Sequence, residues 1–462
     1  MTSHISRLLI VGSASLYSFT ALAGSISFEQ AWQVLQSNNH SLAAERANVE
    51  AYQHLESAKG NLNLPNITIG ANYTRLDNDV TVTGQQLADA TTGLDIPIPG
   101  LPALLGGIET SITEKDIFTS SIRAVWPIFT GGRITAAQTA AQGETEAARS
   151  QFDMEVQARY EDLSKYYFSV VLANEVLQTR QAVEKGLGKH QIFAIKLEEQ
   201  GQIARVERLQ ADASLDKAKV ETRKALSQLT IAQSALSKIL AQGSSVQPTE
   251  MLFINKNLPP MQIYIDQTLA TYPGLDLLSA KEKQASSLIK AEKGKYYPEV
   301  YLYGDYSLYE EDTLASQLKP DWMVGIGVSV PLLESSGRSD NIKAANSMVQ
   351  RVQALKFQAR EDLTILVQKT YLEAQQAIDE VLGLESSIDL AQENLRLREK
   401  AFKQGLSSSL DVVDAQLYLA SIQTQQSIAR YQYLVSLTRL LAVSSQMNTF
   451  NQYQSTALFS AN

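Results

Sequence analysis

Two stretches of this chain that lie far apart repeat one another, and this internal repeat constrains the fold more than any other feature. Four identities recur at an offset of 204 positions: Gln200 with Gln404, Gly201 with Gly405, Ala211 with Ala415, and Leu215 with Leu419. In both copies the glycine interrupts a long helical pattern, which predicts a helix that turns back on itself. The 462 residues therefore predict two copies of one structural unit.

The first residues have the pattern of an export signal. Arg7 precedes an apolar run over residues 8–19, and Ala21, Leu22 and Ala23 place small residues where a signal peptidase cuts. We expect residues 1–23 to be removed, because the run is too short to span a bilayer comfortably as an uncleaved anchor. The chain has no cysteine, which excludes disulfides, thiol catalysis and a lipid on an N-terminal cysteine.

Four short segments show the alternation of apolar and small polar residues that is typical of half-buried β-strands: 67–73, 118–126, 300–306 and 322–330. Pro127 is expected to end the second strand. Residues 78–115 lack a sustained period and are rich in glycine and proline, which predicts a loop with an apolar tip from Ile96 to Leu105.

Long helices follow each pair of strands. Residues 133–200 predict one helix of about 100 Å. A 4-3 spacing within it is typical of a coiled-coil seam and runs over Val156, Tyr160, Leu163, Tyr167, Val170, Asn174 and Leu177. A second helix is expected to run from the glycine turn to about residue 241. The expected domain bounds are a signal peptide at 1–23, a first repeat at 24–242, a connection at 243–261, a second repeat at 262–445 and a polar tail at 446–462.

Four strands cannot close a sheet by themselves. No run of 18 apolar residues follows the signal, so no transmembrane helix is expected, but an exported chain can enter a membrane as a closed β-barrel. Closure needs about eight strands or more, so protomers must pool their strands, eight from two copies or twelve from three. The alternative is a soluble four-stranded sandwich, which the length of the helices disfavours.

The repeated landmarks resemble the TolC family of outer-membrane efflux and secretion ducts across nearly the whole mature chain. They are Leu64-Pro65 and Tyr297-Pro298 at strand entries, Trp126-Pro127-Ile128-Phe129 with Gly131-Gly132 between strand and helix, and the turns at Gly201 and Gly405. The resemblance implies an α+β membrane protein with four transmembrane β-strands per protomer. It implies a homotrimer whose twelve-stranded barrel contacts the outer-membrane lipid of a Gram-negative bacterium and continues into a long periplasmic α-helical coiled-coil barrel. It also implies two partners, a periplasmic adaptor (membrane fusion) protein and an inner-membrane transporter.

Two aspartates after the second turn are the strongest candidate site. Asp411 and Asp414 stand three residues apart and should share one helix face. The resemblance implies that they ring the narrow periplasmic entrance, where six carboxylates from three copies would favour cations. The alternative is that Ser409, Asp411 and Asp414 only cap and charge a helix N-terminus.

The turns themselves are candidate contacts for the adaptor: Gly201, Gln202 and Ile203 in the first, and Gly405, Leu406 and Ser407 in the second. The alternative is that each glycine only serves a left-handed turn. The family closes its entrance with polar and basic links, but here Phe402 and Ser407 occupy the corresponding places, with Glu207 on the partner turn. Arg205 and Arg208 are therefore hypothetical substitute partners for the aspartates in the gate.

The sequence gives little support for an enzymatic function. The four histidines lack ligand spacing and are expected to be isolated at the surface, so neither a metal nor a cofactor is predicted. With 49 acidic residues against 40 basic ones, nucleic acid is not an expected partner. The tyrosines suit a girdle at the membrane interface: Tyr73, Tyr301, Tyr303, Tyr306 and Tyr309.

The sequence therefore predicts a non-enzymatic outer-membrane channel, the duct subunit of a tripartite efflux system that exports small molecules. One alternative of the same class is the duct of type I protein secretion. An alternative of another class is a periplasmic coiled-coil adaptor or scaffold without a pore.

Overall fold

The computed structural model describes residues 25–84, 86, 107–243, 246–332, 335 and 337–459. They fall into two compact units. The first combines the residues up to Arg46 with Gln151–Leu275 and the residues from Gln358 onward, and the second combines Ala47–Ser150 with Asp276–Phe357. The predicted signal peptide and the predicted apolar loop tip from Ile96 to Leu105 lie outside the described residues.

Helices and strands alternate in the order that the repeat predicts. The helices are α1 (Phe28–Asn38), α2 (His40–Gly60), α3 (Arg133–Glu199), α4 (Arg205–Ile239), α5 (Met261–Thr271), α6 (Pro273–Gly294), α7 (Leu314–Gln317), α8 (Arg338–Lys403), α9 (Ser409–Val443) and α10 (Phe450–Ser455). The strands are β1 (Ser25–Ile26), β2 (Asn66–Arg75), β3 (Val80–Thr83), β4 (Glu109–Thr113), β5 (Asp116–Phe129), β6 (Gln247–Pro248), β7 (Phe253–Ile254), β8 (Glu299–Glu310), β9 (Trp322–Ser329) and β10 (Leu458–Phe459).

The second unit contains an antiparallel four-stranded sheet in the order β2-β5-β8-β9. Its strands are the four that the alternation predicts. One row of cross-strand partners runs Ile69, Ile122, Tyr306, Trp322 and belongs to the apolar face. The next row runs Thr68, Arg123, Asp305, Met323 and belongs to the opposite, more polar face, because successive side chains of a strand alternate between faces.

Two details of the strand prediction are wrong. Pro127 does not end β5, which continues to Phe129; the register of β5 against β8 shifts between Pro127 and Phe129, and such an irregularity tolerates a residue without an N–H donor. The predicted loop contains a further antiparallel pair, β3 with β4. These two strands have only four and five residues, too short to show a sustained period.

Most residues of the long helices belong to the first unit. The helices α3 and α8 have 67 and 66 residues, so the prediction of one uninterrupted helix in each repeat is confirmed. Within the described part of the chain, no helix combines the length and apolar composition needed to cross a membrane.

The core of the first unit gathers around the middle of α3. Tyr160, Leu163 and Tyr167 of the predicted seam are buried, but so is Phe168, and Asn174 of the predicted seam is exposed. The buried face of α3 is therefore wider than a two-residue seam, because other segments of the unit also pack on it.

Short segments at the chain ends complete this core. The Phe28 ring of α1 lies 5.4 Å from the Tyr167 ring and 4.8 Å from the Phe450 ring of α10. The Tyr167 hydroxyl donates to the Ile26 carbonyl at 2.8 Å. The polar tail predicted from residue 446 is thus partly wrong, since Phe450 is 2% exposed and β10 pairs with β7.

Candidate functional site

The two glycine turns share one backbone geometry. Gly201 and Gly405 both have a φ of +71°, the left-handed region that glycine adopts without strain. Each turn is closed by a hydrogen bond that spans five residues: Gln202 N to Leu197 O at 2.8 Å, and Leu406 N to Ala401 O at 2.9 Å. Both turns are Schellman motifs at a helix C-terminus. The two glycines are therefore required for the turns themselves, independently of any contact with a partner.

The two turns lead into differently capped helices. The N-cap of α4 is Ala204, which offers no side-chain hydrogen bond. The N-cap of α9 is Ser408, which forms a capping box with Asp411. The sequence assigned this cap to Ser409, one residue too late.

Asp411 is held firmly by its own turn. Its Oδ2 accepts hydrogen bonds from Ser408 N at 2.9 Å, from Ser408 Oγ at 2.8 Å and from Ser407 Oγ at 3.0 Å. The backbone N–H of Ser408 contributes most to holding the pKa of Asp411 below its usual range. Arg398 Nη1 lies 3.5 Å from Asp411 Oδ1 and adds a positive charge on the same side. The carboxylate is therefore ionised, and the positive charge of Arg398 partly compensates its negative charge.

Asp414 has a different environment, although it lies one turn further along the same helix. Its side chain is exposed, whereas Asp411 is half-buried. The two carboxylates predicted as one pair therefore have different roles. Asp411 completes the capping box of α9, and Asp414 presents its charge to solvent. Whether three copies form a ring stays a prediction.

A partly buried polar contact joins the starts of α4 and α9. Glu207 Oε2 accepts a hydrogen bond from the Ser409 backbone N at 2.7 Å, so Glu207 of one hairpin satisfies a free N–H at the start of the other. The Ser409 side chain is fully buried, and its Oγ lies 2.6 Å from His190 Nε2 of α3. These three residues connect three helices at the tip.

His190 is the functional candidate that sequence reasoning missed. It was expected at the surface, but it is 6% exposed and its ring lies 4.4 Å from the Phe402 ring. Burial lowers the pKa of His190 to about 4, and the nearby charge of Glu207 opposes this shift. The signal was present in the sequence as a 4-3-4-3 spacing of buried positions: Val183, Leu187, His190, Ala194 and Leu197.

The residues proposed for the gate do not form one cluster. Phe402 is 2% exposed and belongs to a buried cluster at the tip, which does not suit a contact with another protomer. We call this cluster the tip core; its residues are Ala194, Leu197, Ala211, Phe402 and Val412. Arg208 lies between two carboxylates of its own chain, with Nε 2.5 Å from Glu198 Oε2 and Nη1 2.5 Å from Asp212 Oδ2. Arg205 is exposed at the start of α4.

The predicted adaptor contacts are also unequal. Gln202 and Leu406 are exposed, and Leu406 retains 78% of its accessible surface. Ile203 packs against the tip core, and the Ser407 hydroxyl is used by Asp411. The exposed tip is therefore smaller than the six residues predicted.

The sheet provides the second candidate surface. Its apolar face exposes large side chains, among them Ile69 at 73% and Val324 at 75%. Its polar face contains an ion pair between Arg123 Nε and Asp305 Oδ2 at 3.1 Å. In the described ranges, no group of three or more metal-ligating side chains comes together.

Comparison with known proteins agrees with this architecture. The family model described as outer membrane efflux protein matches residues 31–242 and 264–445, once for each repeat. Nodulation protein T of Rhizobium leguminosarum bv. trifolii is 24% identical over 310 residues, 64% of this chain and 62% of that protein, so the similarity spans less than two thirds of that relative. The outer membrane protein TolC of Vibrio cholerae is 23% identical over 71% of this chain and 76% of that protein.

Solved structures show the same fold. The open-state structure of the MtrE outer membrane channel of Neisseria gonorrhoeae superposes with a TM-score of 0.73 at 19% identity, over 91% of this chain and 89% of that chain. The family model covers both repeats, including the four-stranded sheet and both helical hairpins. The chain belongs to the outer membrane efflux protein family.

Proposed function

We propose that this protein is the outer-membrane duct of a tripartite efflux system, that it works as a homotrimer, and that it exports small molecules. The observation that carries the proposal is the exposed apolar face of the four-stranded sheet. Ile67 and Ile326 are each 65% exposed in a single chain, on the same face as Ile69 and Val324. A continuous apolar face of this kind suits contact with lipid rather than with water.

The sheet edges support association of copies. The strands β2 and β9 each pair on one side only within the described sheet. Unpaired backbone groups cost several kcal/mol each in lipid. Pairing β2 of one copy with β9 of the next would close twelve strands from three copies, with the polar face inward.

The helices offer a second surface for another copy. Four exposed apolar residues of α8 fall in one heptad register: Ile365, Leu372, Leu390 and Leu397. They are separated by 7, 18 and 7 residues, which places them at the a and d positions of a coiled coil. A neighbouring protomer of the same trimer is the occupant that we propose for this stripe.

The tip is the part that we assign to the entrance and to the partners. Leu406 and Gln202 would contact the periplasmic adaptor, which links the duct to an inner-membrane transporter. Asp414, with Asp411 behind it, would contribute to a cation-favouring entrance. Arg205 is the gate residue that we retain, because its side chain is exposed.

Membrane insertion and conductance test the proposal. Heat-resistant trimers in the outer-membrane fraction and stepwise conductance in planar bilayers are expected; a monomer free in the periplasm would refute the duct. Ile326→Lys places a charge on the lipid face and should abolish trimers in the membrane. Thr68→Lys, on the opposite face, is the matched control and should leave them intact.

A further inference from the structure

Two glycines of β9 face two tyrosines of β8. Tyr301 pairs with Gly327, and Tyr303 pairs with Gly325. A Cβ added to Gly327 would lie 2.3 Å from Tyr301 Cζ, and one added to Gly325 would lie 2.5 Å from Tyr303 Cζ. Each ring therefore lies across β9 in the space that a side chain would otherwise fill.

These rings lie on the polar face of the sheet. Tyr301, Tyr303 and Asp305 are two residues apart along β8 and therefore lie on the same side of the sheet. Asp305 pairs with Arg123 on that face. Tyr301 and Tyr303 therefore lie on the face opposite the exposed aliphatic residues, which does not suit the girdle at the membrane interface that the sequence predicts for them. Tyr306, which pairs with Trp322, does lie on the apolar face.

The normal direction of a strand side chain gives this geometry its meaning. Strand side chains stand roughly perpendicular to the sheet. A tyrosine on the polar face of a closed barrel would thus project into the lumen. Here both rings instead lie flat, and only the missing Cβ atoms of Gly325 and Gly327 allow it.

We propose that Gly325 and Gly327 hold the rings of Tyr301 and Tyr303 against the wall and thereby set the width of the lumen at this level. This inference rests on the proposed function, because it needs the polar face to line a pore. A methyl group at either glycine forces the neighbouring ring into another staggered rotamer. The ring then stands into the lumen and narrows it.

The absence of cysteine in the chain makes a direct test available. Ser329 lies on the polar face two residues beyond Gly327, toward the long helices, and its side chain is exposed. Ser329→Cys would place one thiol behind the tyrosines for a reagent arriving from the opposite, loop end. Ser307→Cys would place one thiol in front of them, on the same face.

Intact cells that carry one reporter are labelled from outside with maleimides attached to polymers of increasing size. In the Gly325→Ala/Gly327→Ala background, we expect several-fold slower labelling of S329C by the larger reagents and unchanged labelling by the smallest one. Adding Tyr301→Ala and Tyr303→Ala should restore the rate, because no ring then remains to project.

The chain offers a matched control on the same face. A Cβ added to Gly70 has no atom within 4 Å, so Gly70→Ala adds a methyl group without moving a ring and should leave labelling unchanged. Equal S329C rates for large reagents in the Gly325→Ala/Gly327→Ala and wild-type backgrounds would overturn the inference.

A second variant keeps the inference testable if the glycine variants do not assemble. Tyr301→Ala/Tyr303→Ala adds no clash. Rings that lie on the wall leave the labelling of S329C by large reagents close to wild type, whereas a large increase would mean that the rings already project and would refute the inference. S307C reports the pore separately: if no background labels it and no trimers form, the proposed function itself fails, and the inference falls with it.

Discussion

Acid should loosen the helical tip, and His190 is the residue that makes it do so. The His190 ring packs against the Phe402 ring, and its Nε2 lies 2.6 Å from Ser409 Oγ. Burial lowers its pKa from 6.5 to about 4, against the opposing charge of Glu207. The closed tip therefore requires the neutral imidazole, while an opened tip lets the ring take up a proton near pH 6.5.

The sign and size follow from linkage between proton binding and opening. Above pH 6.5 the ring is neutral in both states, and the contact contributes its full stability. As the pH falls toward 4, the opened state binds a proton that the closed state does not, so stability is lost. At pH 5 the loss is about 2 kcal/mol at most, or roughly 30-fold more opening, since water at the ring edge screens part of the effect. The pKa of Asp411 lies below its usual value, so its contribution is lost only in more acidic solution.

Hydrogen exchange of the tip amides measures this opening. After correction for the intrinsic exchange rates, amide protection at the C-terminal end of α3 and the N-terminal end of α9 should be lower at pH 5 than at pH 7.5 in the wild type. His190→Gln keeps a polar partner for Ser409 without a titrating ring and should remove most of the difference. His54→Gln, at an exposed position of α2, is the matched control and should behave as wild type. Equal pH dependence in H190Q and in the wild type would refute the reasoning.

Two further predictions separate structural roles from functional ones. Asp411→Ala should lower the thermal unfolding midpoint, because it removes the carboxylate half of the capping box that Ser408 forms at the start of α9. Asp414→Ala should leave the midpoint unchanged and weaken cation preference and block by multivalent cations in bilayer recordings; unchanged selectivity in Asp411→Ala/Asp414→Ala would reduce both residues to structural charges. Tyr167→Phe should destabilise the first unit by about 0.5–1.5 kcal/mol, because the hydrogen bond from its hydroxyl to the Ile26 carbonyl is lost while that carbonyl keeps the Thr249 backbone N–H at 3.1 Å; in chemical unfolding, a loss no larger than that of exposed Tyr166→Phe would contradict this.

The repeat and the periods of the chain were enough to predict the main elements. The strands and long helices arise from alternation and helical spacing, which are local properties of a segment. The equivalence of the two turns also held in atomic detail, since both glycines have the same φ. Short elements such as β3 were missed because four residues cannot establish a period.

The candidate site was predicted less completely, because its contacts join distant segments. Glu207 and Ser409 are 202 residues apart, and no local pattern links them. Phe402 was assigned to the gate because it occupies a position at which the family closes its entrance, but packing with His190 buries it. Arg208 was assigned there by its charge, but Glu198 and Asp212 neutralise it within its own chain.

By itself, the sequence determined the two-fold repeat, because two stretches of the chain can be compared directly. It also determined the types of the elements and the glycine turns, because these depend on residues within a few positions of one another. Only the tertiary structure decided which side chains the turns bury and how the rings of Tyr301 and Tyr303 lie against β9. Alternation assigns a tyrosine to one face of the sheet but not the direction of its ring, and here the missing Cβ of the glycine on the neighbouring strand decides that direction. Burial and cross-strand register are properties of the packed chain, so they decide the function of residues whose local pattern is ambiguous.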